Sequence, residues 1–112
     1  MFDNILGEIT EVPNHQTSFC DGIGGKKVFK TIWPYVSHLV DGSVTITLEQ
    51  VVDAIRLIMD RNSLVAEGAG AASVAAALTD DVPGENIVCI LSGGNIDFSK
   101  FAAICNRSIP KP

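Results

Sequence analysis

An apolar run that ends in a double-glycine turn constrains this chain more than any other feature. Residues Asn86–Ile90 lead into Leu91-Ser92-Gly93-Gly94-Asn95-Ile96-Asp97. Val88-Cys89-Ile90-Leu91 reads as a buried strand. The Ser-Gly-Gly-Asn that follows reads as a tight turn at its carboxyl end, which is where ligands sit in open α/β sheets. Two glycines let the backbone approach a flat or anionic ligand. Ser92 and Asn95 add hydrogen-bonding side chains.

The chain has 112 residues, enough for one domain with a modest core and small for an α/β enzyme. Hydrophobic residues make up 46%, with a mean hydropathy of +0.29. So apolar a short chain suggests a face meant for another domain or subunit. The net charge of -5 comes without a basic stripe. Lys26, Lys27 and Lys30 form the one local cluster and read as a solvated helix start, so nucleic acid is not an expected partner. No apolar run has the length of a membrane span. Met1-Phe2-Asp3-Asn4 lacks the basic region and long apolar run of a signal peptide. Cys20, Cys89 and Cys105 show no CxxC or zinc spacing, and a reducing, cytoplasmic setting fits them. Asp80-Asp81 reads as a solvated loop and not a metal site.

Along the chain, Met1–Thr17 has little periodicity, although Phe2, Ile5, Leu6 and Ile9 could form a short helix or strand. Asp21-Gly22-Ile23-Gly24-Gly25 is a glycine-rich loop in which Asp21 is expected to brace the turn. Val28–Leu39 reads as a helix entered around Lys30–Pro34, with Trp33 as a packing anchor. His15 and His38 read as surface positions. Val44-Thr45-Ile46-Thr47 reads as a short strand. Thr47 then caps a helix and Gln50 completes a capping box. Val51, Val52, Ile55, Ile58 and Met59 form its buried stripe. Glu67-Gly68-Ala69-Gly70-Ala71-Ala72 opens a helix of small side chains that runs to about Leu78 and is expected to lie against a sheet. After the Ser-Gly-Gly-Asn turn, Asp97 is expected to cap a last helix, Phe98–Cys105. Ile109-Pro110-Lys111-Pro112 cannot continue it. The order of elements predicts an α/β fold with a few parallel strands joined by helical crossovers. Two strands alone leave their edges unpaired, so the chain reads as a piece of a larger sheet.

Three stretches now coincide in order: Thr17-Ser18-Phe19-Cys20-Asp21-Gly22, Glu67-Gly68-Ala69-Gly70-Ala71 and Leu91-Ser92-Gly93-Gly94-Asn95-Ile96-Asp97. With Leu39-Val40-Asp41 and Val65-Ala66-Glu67 between them, they resemble the C-terminal part of the serine/threonine dehydratases, a group of pyridoxal-phosphate enzymes that includes serine racemase. Residues 17–106 are read as that segment, 1–16 as a poorly matched lead-in and 107–112 as a tail. The resemblance implies part of the large domain of a fold-type-II (tryptophan-synthase-β type) enzyme, a partial three-layer sandwich. It also implies pyridoxal phosphate as cofactor. Ser92 matches the serine that bonds the pyridine nitrogen. Gly93 and Gly94 would let the backbone pass close to the ring, Glu67 would order the site and Asn95 would brace the turn.

The family's Schiff-base lysine and its phosphate-cradling glycine loop match nothing in this chain. Lys26, Lys27, Lys30, Lys100 and Lys111 all stand in other contexts. No residue is therefore assigned as catalytic, and the chain by itself is expected to hold the cofactor poorly and to be inactive. The function expected from the resemblance is that of a fragment of a threonine/serine dehydratase (ammonia-lyase) of amino-acid metabolism. The alternatives are a non-catalytic, self-associating α/β module and one half of a split enzyme. The expected partners are accordingly a second copy or an N-terminal partner chain.

Overall fold

The computed structural model of the chain describes residues 2, 3, 9 and 11–112. Ile5 and Leu6, two of the apolar residues in the N-terminal stretch, lie outside them. The elements in order are β1 (Phe2–Asp3), a 3-10 turn (Asp21–Ile23), α1 (Trp33–Leu39), β2 (Ser43–Val44), α2 (Leu48–Asn62), α3 (Gly68–Ala77) and α4 (Phe98–Cys105).

α2 follows directly from its sequence. Thr47 is extended at the N-cap, its hydroxyl accepts from the Gln50 N–H at 3.2 Å, and the Gln50 side chain accepts from the Thr47 N–H at 2.7 Å. Two of the helix's orphan donors are thereby satisfied in a capping box. Val51, Val52, Ala54, Ile55 and Ile58 are buried along one face. Met59, expected in that stripe, is exposed, because one further residue turns it about 100° from Ile58 to the rim. Ser63 ends the helix in the left-handed region, at φ 54.

α3 has the expected span, with Glu67 at its N-cap and Leu78 at its C-cap. It packs mainly on α2 and not on a sheet. Its alanines let the two helices close tightly: Ala66, Ala71 and Ala75 join Val51, Ile55 and Ile58 in the core, where Phe19, Cys20 and the α4 residue Ile104 complete the cluster. α4 also has the expected bounds, but Asp97 stands at the N-cap without a side-chain hydrogen bond. The other end of α4 is held instead by Arg56 of α2, whose guanidinium donates to the carbonyls of Ile104 (3.3 Å) and Cys105.

The expected sheet differs most from the structure. Among the described residues the one sheet is a two-stranded antiparallel pair, Phe2 opposite Val44 and Asp3 opposite Ser43. β2 is shorter than the Val44–Thr47 run because Thr47 is used as the cap of α2. Asn86–Leu91 is not part of a ladder, since no described strand lies beside it to accept or donate. Parallel strands with helical crossovers therefore do not occur among the described residues. α1 is also shorter than the Val28–Leu39 run. Pro34 sits in the first turn of the observed helix, whereas a helix from Val28 would place it in the interior, where its missing N–H and its ring break the ladder. Trp33 is half-buried, whereas Ile32, Leu39 and Val40 face outward.

Candidate cofactor-site segment

The three stretches singled out in the sequence meet at the first turn of α3. The Glu67 N–H donates to the Gly93 carbonyl at 3.1 Å, and the Glu67 carboxylate reaches past its own helix to accept from the Asn95 N–H at 3.1 Å. This one residue thus clamps the Ser92–Asn95 turn by backbone and side chain together. The carboxylate bond is charge-assisted, which makes it the stronger of the two. On the other side, the 3-10 turn lies against the same helix start. A Cβ at Gly22 would come within 2.9 Å of the Ala69 Cβ, and one at Gly68 within 2.8 Å of both the Phe19 carbonyl and the Cys20 Sγ.

The glycines of the turn are required by this contact. A Cβ on Gly93 would lie 2.5 Å from the Glu67 Oε1, and one on Gly94 would run into the Val65 carbonyl. Gly70 of α3 faces the Gly93 backbone so closely that any side chain there would strike the Gly93 carbonyl. Gly70 and Gly93 therefore let a helix and a turn touch backbone to backbone. Behind the turn, the Ser73 hydroxyl donates to the Ile90 carbonyl at 2.8 Å and the Cys89 thiol to the Ser73 carbonyl at 3.6 Å. Ser73 breaks the alanine pattern of α3 at the position where a hydroxyl is used to hold the segment before the turn.

Of the residues expected at the site, the structure brings Glu67, Gly93 and Asn95 into direct contact and places Gly94 against Val65. Ser92 is exposed, and its hydroxyl makes no hydrogen bond among the described residues. Asn95 is tied by its backbone N–H. Asp21 is not a side-chain brace: the 3-10 turn is closed by its carbonyl, which accepts from the Gly24 N–H at 3.0 Å. Beside the clamp lies a cleft of about 180 Å³ lined by Phe19, Asp21, Glu67, Asn95, Ile96, Asp97 and Lys100. The sequence assigns neither Phe19 nor Lys100 a role at the site. Lys100 could have been given one, because an N-cap at Asp97 places position 100 within the first turn of α4. The Cys20 thiol, buried behind this wall, has its pKa raised chiefly by desolvation, and Asp21 adds to the rise while the Ser18 hydrogen bond opposes it. Burial thus favours the neutral thiol, which packs as part of the core.

A bound pyridine ring requires a hydrogen-bonding side chain free at its nitrogen and a wall without side chains to crowd it. Ser92, exposed and with its hydroxyl unbonded among the described residues, fits the first requirement, whereas the space a Cβ would take at Gly93 and Gly94 is filled by Glu67 and Val65. The chemistry of the Ser92 hydroxyl is compatible with the ring nitrogen of pyridoxal phosphate.

The family model described as pyridoxal-phosphate dependent enzyme matches residues 2–93. The chain belongs to this family. Its relatives include the L-threonine ammonia-lyase of Thermotoga maritima, 38% identical over 95 residues, a match that covers 84% of this chain and 24% of the relative. The L-threonine ammonia-lyase of Geobacter sulfurreducens is 38% identical over 106 residues, with 92% and 26% covered. Among solved structures, the T.th. threonine deaminase superposes with a TM-score of 0.73 at 30% identity, over 80% of this chain and 31% of that one. The processed form of threonine deaminase isoform 2 from Solanum lycopersicum gives 0.72 at 28% identity, over 88% and 29%. The chain thus spans about a quarter of the length of the curated relatives. The cofactor implied by the family is pyridoxal phosphate. No helix among the described residues is long and apolar enough to cross a membrane.

Proposed function

We propose that this chain is the C-terminal part of the large domain of a pyridoxal-phosphate-dependent threonine/serine dehydratase, that it forms the pyridine-nitrogen side of the cofactor site, and that it is inactive by itself. The observation that carries this reading is the convergence on the first turn of α3 of three motifs distant in sequence, beside a serine hydroxyl with no hydrogen bond among the described residues. When bound, pyridoxal phosphate supplies an electron sink for the carbon that loses a proton. Ser92 presents a neutral hydroxyl to the ring nitrogen. A neutral partner leaves that nitrogen largely unprotonated, which suits a β-elimination in which the departing hydroxyl drains the charge. Gly93 and Gly94 let the turn close on Glu67 and Val65, which holds Ser92 in place. Glu67 fixes the turn through the Asn95 N–H and so fixes where the Ser92 hydroxyl stands. This chain's own residues orient the ring, and the proton transfers fall to groups it does not supply. The substrate class is a hydroxy amino acid, threonine or serine.

The test is titration of the purified chain with pyridoxal phosphate, borohydride reduction and intact mass with peptide mapping. The expected result is no stoichiometric adduct at a single lysine. One adduct mapping to a single lysine, Lys100 beside the cleft being the instructive case, would overturn the proposed inactivity, because the chain would then hold a complete attachment site.

A further inference from the structure

α3 is built from glycine, alanine and valine with one exception. Ser73 is the single polar side chain between Gly68 and Ala77. A serine inside a helix is less favourable than alanine, and its usual bond runs back to a carbonyl of its own preceding turn. Ser73 directs its one donor elsewhere. Its hydroxyl donates to the Ile90 carbonyl at 2.8 Å, 17 positions along the chain, and its own carbonyl accepts from the Cys89 thiol at 3.6 Å. Helix and segment are thus tied in both directions.

This tie stands opposite the Glu67 clamp. Glu67 holds the Gly93 carbonyl and the Asn95 N–H, on the far side of Ser92. Glu67, Gly70 and Ser73 follow one another at every third position, and Gly70 lies against the Gly93 backbone between the two ties. From residue 67 to residue 73 a helix rises about 9 Å. The three residues from Ile90 to Gly93 reach at most about 10–11 Å. Helix and segment therefore pass each other in opposite directions with bonds at matching heights, and Ser92 lies between those bonds. Leu91, Ser92 and Gly93 each bring two soft dihedrals. Together these are as many as the conditions that place one rigid peptide plane on another. With the Ile90 and Gly93 carbonyls both held on one helix, the span is left with no continuous freedom. The Ser92 backbone, which selects the side-chain rotamer, is then set. With Ile90 released, Glu67 holds one end alone and Ser92 can swing about it.

We infer that Ser73 is a positioning residue for Ser92: its bond to the Ile90 carbonyl fixes the end of the span that Glu67 does not reach, and so fixes where the Ser92 hydroxyl points. The inference rests on the reading of Ser92 as the partner of the pyridine nitrogen, and it goes beyond that reading by naming what holds the hydroxyl in place. Ser73 acts through Ile90 and not on the ring itself.

The test is nuclear magnetic resonance of the isotope-labelled chain, with pyridoxamine phosphate as the probe because its amine forms no adduct with lysine. In the original chain the Ile90 carbonyl carbon should shift when the Ser73 hydroxyl exchanges its proton for deuterium, and Ser92 should occupy one staggered χ1 well. Ser73→Ala should abolish the isotope shift and average Ser92 over the three wells. About a third of the molecules then present the competent rotamer, so the probe response at Ser92 should require about threefold more pyridoxamine phosphate. Ser73→Thr, which keeps the hydroxyl, should restore both readouts. The Asn95 N–H, held by Glu67, should keep its protection in both variants. A role confined to stability would lower the thermal midpoint of Ser73→Ala and leave the Ser92 rotamer single, and that result overturns the inference. So does a Ser92 side chain already averaged in the original chain, a measurement that stands even if Ser73→Ala fails to fold. A Ser92 rotamer that responds to Ser73 while pyridoxamine phosphate shifts nothing at Ser92 in any variant would uphold the positioning role and count against the pyridine-nitrogen assignment. A probe response at Ser92 that is equal in the original chain and in Ser73→Ala would do the reverse.

Discussion

Gly70 and Gly93 touch backbone to backbone, and the turn that presents Ser92 depends on that contact. An alanine Cβ at Gly70 would meet the Gly93 nitrogen at 2.9 Å and its carbonyl carbon at 3.1 Å, with the carbonyl oxygen closer still. Backbone cannot swing aside as the end of a side chain can. Gly70→Ala is therefore expected to destabilise the chain by about 1–3 kcal/mol. Gly25 has its nearest neighbour at 4.0 Å, so Gly25→Ala should stay within about 0.5 kcal/mol of the original. Urea midpoints of the two variants decide the matter, and equal effects would mean that the α3–turn contact is looser than described. The clamp itself was only partly legible in the sequence. Glu67 was selected by its motif, but its bond to the Asn95 N–H spans 28 positions, and no local pattern encodes such a pairing.

At the scale of elements, α2 carries its own boundary information. Thr47→Ala removes the hydroxyl that accepts from Gln50 and should cost about 1 kcal/mol, read as a lower thermal midpoint. Glu49 in the first turn supplies a pH dependence. Its pKa is lowered by a hydrogen bond with its own backbone and then by the Thr47 side chain, with a small opposing contribution from desolvation. A depressed folded pKa means that the carboxylate's contribution is present above the unfolded carboxylate range, near pH 4.3, and is lost as pH falls through the folded value. Stability measured between about pH 6 and pH 3 should thus fall more steeply for the original chain than for Glu49→Gln. α1 and the Asn86–Leu91 segment show what local pattern misses. Helical spacing marked Val28–Leu39, but Pro34 excludes a helix that starts as early as Val28, and α1 begins at Trp33. Asn86–Leu91 has the composition of a strand, yet a strand is defined by its neighbour, and none lies beside it among the described residues.

Across the whole molecule, burial is concentrated between α2 and α3, with Ile55 and Ile104 fully enclosed. Ile55→Ala should cost about 2–5 kcal/mol, a large share of what a chain of this size retains. Amide exchange should show the same gradient. The slowest protons belong to Val51–Ile58, whereas Ile87–Ser92, without acceptors among the described residues, should exchange close to the unfolded rate in the isolated chain. Slow exchange at Ile87–Ser92 in a monomer would contradict the open-edge description. Val88 and Ile90 stand apart from that core, 88% and 71% exposed.

The sequence by itself determined the helices that close on their own signals: the Thr47–Gln50 capping box and the stripe of α2, the extent of the alanine-rich α3, and the bounds of α4. It also determined the family, because motif order survives in the chain whether or not the fold around it is complete. Only the tertiary structure decided that α3 lies on a helix and not on a sheet, that Glu67 clamps the Ser92–Asn95 turn, and that Lys100 stands by the same cleft as Phe19. The physical reason is the range of the interactions. Caps and amphipathic stripes are satisfied within a few residues of themselves. A backbone-to-backbone glycine contact or a carboxylate bond across the chain exists only once distant segments have been brought together.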